Sequence, residues 1–174
     1  MQTVAQFIVW LSGRLNALAL WGAVAAVSVM VMSIMYQVVS RYIFASPPIW
    51  TEELARYAMV WAGLLGASCA FHASTDPTLF PAANLLRGSK GLIAAIGRFC
   101  AVATFAMPVL WFCFIGPNGG FTRGFIARSM ARSAEMLGFS MVWISLAIPI
   151  GLALVLVHAF AGIAAQALPQ TQDD

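Results

Sequence analysis

The chain has 174 residues, of which 61 % are hydrophobic and only 9 % charged, with a net charge of +3; ordinary soluble domains carry about 25 % charged residues. This composition excludes a soluble domain and predicts an integral membrane protein. The few arginines mark membrane flanks rather than nucleic-acid contacts, and the longest connection between apolar stretches, about 20 to 25 residues, is too short to bury a core of its own.

Taken in chain order, the first apolar stretch covers about residues 15–39, preceded by the single basic residue Arg14. It runs well past the roughly 7 to 15 apolar residues of a cleavable signal, so it reads as an uncleaved signal anchor. After Arg41 and Tyr42, Pro47 and Pro48 stop the helix and favour extended backbone. Thr51 is then a candidate N-cap for a second span at about 51–72, and Glu52 and Glu53 occupy its first turn, where the helix dipole favours carboxylates. Glu52 and Arg56 have the i, i+4 spacing of a helical ion pair. A third span at about 94–115 carries Pro108 and a fourth at about 137–164 carries Pro149; both prolines predict kinks. The fold class is therefore all-α, an integral membrane four-helix bundle with short loops, with residues 1–174 as one domain.

Small residues four apart, Ala62 with Gly66, Gly63 with Ala67 and Ala147 with Gly151, predict close helix packing on spans two and four. Cys69, Cys100 and Cys113 fall in or beside apolar stretches without metal or disulfide spacing, and read as buried small hydrophobes. No internal repeat or low-complexity segment interrupts the pattern.

Charge is concentrated in the first loop, where Arg41, Glu52, Glu53 and Arg56 surround the amphipathic rings Tyr42 and Trp50. Capping, dipole and i, i+4 pairing account for Thr51, Glu52, Glu53 and Arg56 locally. Arg41 has no such local explanation, and the loop is short enough to pair it with Glu53 or Glu52. Two readings stand: an interfacial staple between the first two helices, or a recognition surface for a partner protein. Orientation is not decided by charge, since an inside N-terminus sets Arg14, Arg87, Lys90 and Arg98 against Arg41, Arg56, Arg123, Arg128 and Arg132. Discounting Arg41 and Arg56 for their acidic neighbours tilts the balance towards an inside N-terminus. The segment 116–133, with Arg123, Arg128 and Arg132 among Phe121, Phe125 and Met130, reads as a loop at the lipid headgroups.

Arg-Tyr-x-Phe at 41–44, a proline, Trp-Thr-Glu-Glu-Leu-Ala-Arg at 50–56 and a helix with Trp61 and Gly66 resemble the small membrane subunit, DctQ type, of tripartite ATP-independent periplasmic (TRAP) transporters. The stretch Leu-Gly-Phe-Ser-Met-Val-Trp-Ile-Ser-Leu-Ala-Ile-Pro-Ile-Gly at 137–151 is similar to that family's last span. His72 and Asp76 match its His-x-x-x-Asp, although here the flanking basic residues are missing. The resemblance implies a small non-catalytic scaffold subunit of a sodium-coupled secondary transporter, supporting a large elevator-type membrane subunit that takes up organic acids, sialic acids included. It further implies a periplasmic substrate-binding protein and membrane lipids as partners, and a bacterial inner-membrane location with both termini cytoplasmic. Arg41, Tyr42, Trp50, Glu52, Glu53 and Arg56 would then form a structural clasp or partner interface on the periplasmic face, and Ala62, Gly63, Gly66, Ala147, Pro149 and Gly151 the helix-packing set.

Apart from that cluster and Arg98, the predicted spans hold almost no ionisable residues, the usual marks of ion and proton pathways. No nucleophile is grouped with a base, so neither an enzyme nor a cofactor is expected. Two other classes remain as alternatives: a haem-bearing membrane anchor of a respiratory enzyme, with His72 and His158 as axial ligands, and a stand-alone small transporter.

Overall fold

The computed structural model describes residues 2–73, 89–116, 120 and 124–166. The elements are α1 (Gln2–Ile43), α2 (Trp50–His72), α3 (Ser89–Phe114), α4 (Phe125–Met130), α5 (Val142–Ser145) and α6 (Ala147–Gln166). Four stretches are long and apolar enough to cross a bilayer: α1, α2, residues Lys90–Phe114 of α3, and Val142–Gln166, which joins α5 to α6. The protein is an all-α membrane bundle.

Several boundaries differ from expectation. Helix α1 starts at Gln2 rather than near residue 15, because the preceding stretch contains no proline and only one charge, so nothing stops the helix. Its 42 residues give a rod about 63 Å long, against a hydrocarbon core of about 30 Å. Beyond it, Ala45 turns the chain at a left-handed φ of 49°, and the Ser46 N–H returns to the Ser40 carbonyl at 3.3 Å. Thr51 is not the N-cap of α2. Ile49 holds that position, while Thr51 lies inside the first turn, fully buried, and donates its hydroxyl to the Pro48 carbonyl at 2.7 Å.

The two prolines behave differently. Helix α3 continues through Pro108. At Pro149 the fourth span is broken three residues earlier, at Leu146, which separates α5 from α6. Proline has no N–H to offer the Ser145 carbonyl, and the ladder resumes with Ile150 N–H on the Leu146 carbonyl at 3.1 Å. The expected start near residue 137 is also displaced, because residues 131–141 are occupied by turns.

Helix α1 packs chiefly on α2, and α6 contacts α1, α2 and α3. Ala19 and Ala23 of α1 meet Leu65 of α2, with Trp61, Cys69 and Leu154 against them. Close approach rests on two glycines. A Cβ on Gly151 would lie 3.0 Å from Leu64 Cβ, and one on Gly22, which has Ala26 four residues on, 2.9 Å from Leu65 Cδ1. A Cβ on Gly63 or Gly66 would meet nothing within 4 Å among the described residues, so the small-residue pairs of α2 do not produce the close contact there. Ala62 is half-buried, and Ala147 and Pro149 are buried.

Helix α3 is peripheral: only 6 % of its most apolar window is buried, against 33 % for the last span. Accordingly Cys100 is exposed, contrary to expectation, while Cys113 is buried and Cys69 half-buried. Past α3, Gly124 fits against its end so tightly that an added Cβ would collide with the Phe114 carbonyl and lie 2.8 Å from the Cys113 oxygen. Backbone cannot yield as a side chain does. We expect Gly124→Ala to displace α4 and cost about 1–3 kcal/mol, read as a lower unfolding midpoint of the purified protein; an unchanged midpoint would show that the loop yields freely.

Candidate functional site

Glu53 is the centre of the site. The turn before it places Thr51 and Glu53 inward and Glu52 outward, so Glu53 is buried and Glu52 and Arg56 are exposed. Its carboxylate accepts backbone N–H groups from three consecutive residues: Glu135 on Oε1 at 3.1 Å, and Met136 at 2.9 Å and Leu137 at 3.1 Å on Oε2. One helical turn on, the Tyr57 hydroxyl also donates to Oε1. Three amides and a phenol converge on one anion.

The amides converge because the segment before α5 forms a tight turn. Ser133 and Ser140 pair as an isolated bridge, Ala134 N–H reaches the Phe139 carbonyl at 2.7 Å, and Met141 N–H reaches the Arg132 carbonyl at 2.9 Å. Gly138 takes the left-handed φ of 69° that the turn requires, a conformation glycine adopts without penalty. The outward amides of residues 135–137 thus make an anion-binding concavity, which Glu53 fills. The Phe139 ring meets Tyr57 edge-on at 5.8 Å, and the Trp61 indole N–H donates to the Trp143 carbonyl at 3.1 Å. Helix α2 is thereby fastened to the entry of the last span.

This arrangement corrects the expected pairing. Arg41 forms no ion pair with Glu53 or Glu52, and Glu52 and Arg56 form none with each other, among the described residues. The Glu53 oxygens are already occupied by donors held in place by the backbone, whereas an exposed arginine would have to be ordered at an entropic cost. Of the other loop residues, Trp50 lies 5.8 Å from the Tyr36 ring and so touches α1, whereas Tyr42 is 82 % exposed and outside the cluster. Tyr57, Gly138 and Phe139 were missed as site residues. The available signals were the i, i+4 spacing of Glu53 and Tyr57 and the Leu-Gly-Phe-Ser turn sequence.

A second polar cluster joins α1, α2 and α6. Ser12 Oγ is 2.7 Å from His158 Nδ1 and 3.3 Å from His72 Nδ1, so one ring nitrogen accepts the hydroxyl proton and the other donates to its oxygen. The imidazoles are 4.7 Å apart between centroids. Axial haem ligation places the metal and its macrocycle between the two rings, and in this arrangement the rings leave space for neither. Nearby, the Cys69 thiol donates to the Asn16 carbonyl at 3.8 Å, and Arg98 lies 4.2 Å over the Phe71 ring. Among the described residues no group of three or more His, Cys, Asp or Glu side chains is placed to hold a metal. Asp76, the partner of His72 in the matched motif, lies outside the described residues.

Comparison with known proteins agrees with the motifs. Residues 30–168 match the family described as "Tripartite ATP-independent periplasmic transporters, DctQ component". A relative, "Sialic acid TRAP transporter permease protein SiaT" of Haemophilus influenzae (strain 86-028NP), is 41 % identical over 61 residues. That alignment covers 35 % of this chain and 8 % of the relative, so the chain spans a small part of that protein's length. With the match running from the last third of α1 through the last span, across the Glu53 turn, this chain belongs to the DctQ family of small TRAP transporter subunits.

Proposed function

We propose that the chain is a non-catalytic scaffold, holding the static part of a large membrane subunit in the bilayer while that subunit runs a sodium-coupled, elevator-type uptake of organic acids. A sialic acid is the first substrate to try, by analogy with the relative named above. A periplasmic binding protein delivers the substrate, membrane lipids surround the assembly in the bacterial inner membrane, both termini are cytoplasmic, and Arg41, Tyr42, Trp50 and Arg56 lie on the periplasmic side.

The observation that supports this best is the apolar surface left on α1 and α3. Trp21, Met32, Ile93, Phe105 and Met107 are each more than half exposed, on helices that use little of their surface within the chain. Helices in lipid associate through packing rather than through a hydrophobic drive, and such faces suit a large helical partner. The clasp around Glu53 contributes rigidity.

The test is uptake in cells expressing the large subunit and the binding protein with or without this chain, with sodium present or replaced. Sodium-dependent uptake of an organic acid that vanishes without the chain, together with co-purification of the large subunit, is the expected result. Solute flux through the chain reconstituted alone would instead support the stand-alone transporter.

Arg41 separates the two readings of its loop. With no ion-pair partner among the described residues, Arg41→Ala should change the stability of the isolated chain by less than about 0.5 kcal/mol, yet lower uptake by the assembled transporter more than Arg14→Ala does. Equal and negligible effects on uptake would remove Arg41 from the interface.

A further inference from the structure

Beside the Glu53 turn, α4 and the start of α5 enclose a cleft of about 230 Å³ lined by Phe125, Arg128, Ser129, Arg132, Met141 and Ser145. We propose that this cleft binds the headgroup of an anionic glycerophospholipid, with Arg128 and Arg132 on the phosphate and Phe125 and Met141 against the glycerol and upper acyl carbons.

Two charges converge there with no acid to meet them among the described residues. Arg128 and Arg132 are four residues apart and exposed, and neither forms an ion pair among the described residues. The Glu53 carboxylate is held by the amides of 135–137, and the exposed Glu135 pairs with no cation among the described residues. The serines at the cleft direct their hydroxyl hydrogens to backbone, Ser129 to the Ile126 carbonyl at 2.7 Å and Ser145 to the Met141 carbonyl at 3.1 Å. Recognition of an anion therefore falls to the two guanidiniums, whose planar forks match phosphate oxygens.

Position selects a lipid over a soluble anion. Met141 and Ser145 bracket the first turn of the last span, which begins at Val142. Trp143, 63 % exposed, projects from that same turn, at the headgroup level where tryptophan concentrates. Phe125 and Met130 are also exposed on α4, so the basic cleft has an apolar border. A free phosphate would gain nothing from that border, whereas a phospholipid uses the charges and the apolar wall together. Occupancy by such a lipid depends only on the membrane entry of the last span, and not on the scaffold role proposed above.

The experiment uses the chain purified with its large membrane subunit, delipidated and titrated with phosphatidylglycerol or phosphatidylcholine, with bound lipid counted by native mass spectrometry. Wild type should retain phosphatidylglycerol about thirtyfold better than the R128A/R132A double variant, as expected when two basic residues near a membrane surface lose their charge. R128K/R132K should retain an intermediate amount, keeping the charge but not the planar fork, and phosphatidylcholine should not distinguish the three. In parallel, a photoactivatable phosphatidylglycerol should label wild-type residues within 125–145, which keeps the test valid if the double variant fails to assemble. Equal retention by wild type and R128A/R132A, displacement of the lipid by millimolar inorganic phosphate, or protection of 125–145 from the label by the large subunit would each overturn the assignment. A labelled cleft in a chain dispensable for uptake would uphold the lipid site and reject the scaffold.

Discussion

Glu53→Ala is expected to lower the thermal midpoint of the purified chain by roughly 5–10 °C, since it strands three amides and a phenol that share one buried acceptor. Glu53→Gln should be nearly as damaging: its amide carries a carbonyl on one side only, and its NH2 group would face N–H donors on the other. Tyr57→Phe removes a single donor and should cost about 1 kcal/mol. By contrast Glu52→Ala and Arg56→Ala, at exposed positions without a mutual ion pair, should each change stability by less than about 0.5 kcal/mol. The order of midpoints in one detergent is the measurement. If Glu53→Ala and Glu52→Ala behave alike, the carboxylate does not hold the turn at 135–137.

Gly151→Leu is the second large effect. With Leu64 Cβ already 3.0 Å from where a Cβ would sit, a branched side chain must separate α2 from α6. Overpacking of this kind costs about 1–3 kcal/mol and should appear as a reduced midpoint and a loss of monodisperse protein. Gly66→Leu is the informative partner, because a Cβ on Gly66 would meet nothing within 4 Å among the described residues. It should leave the isolated chain near wild type. A selective loss of co-purifying large subunit with Gly66→Leu would assign the small residues of α2 to an intermolecular contact; an isolated-chain defect equal to that of Gly151→Leu would show that α2 packs more tightly within the chain than its open glycines indicate.

The bundle was legible because apolar runs of span length announce themselves, and the DctQ resemblance because Trp50 to Arg56 and Leu137 to Gly151 keep a recognisable order. Less visible was the partner of Glu53. Charge invites charge when only side chains are read, so Arg41 looked like the natural mate. The actual donors are backbone amides 82 to 84 residues away, which exist as a site only once the turn around Gly138 forms. Thr51 failed as a cap for a related reason, since a threonine hydroxyl can return to a preceding carbonyl as readily as accept an amide. Gly22 stands four residues before Ala26, the same small-residue spacing, yet its close contact involves the branched end of Leu65 rather than a second small residue. Spacing also brought His72 and His158 to one end of the bundle, but only the 4.7 Å contact of their rings showed that the two imidazoles pack against each other.

The length of α1 makes bilayer thickness a variable of this protein. Residues Gln2 to Gly13 extend the rod about 18 Å beyond Arg14 and carry exposed Val4, Phe7 and Trp10 with no charge among them. Such a surface is costly in water, while Ser12 ties the segment to His72 and His158 and prevents it from swinging away. The helix is left to accommodate mismatch by leaning over or by drawing the lipid surface along its flank. Reconstitution in lipids of increasing acyl length should therefore change the tilt of α1 before it changes any contact at Glu53, and a membrane of fixed composition would set the posture of the whole subunit.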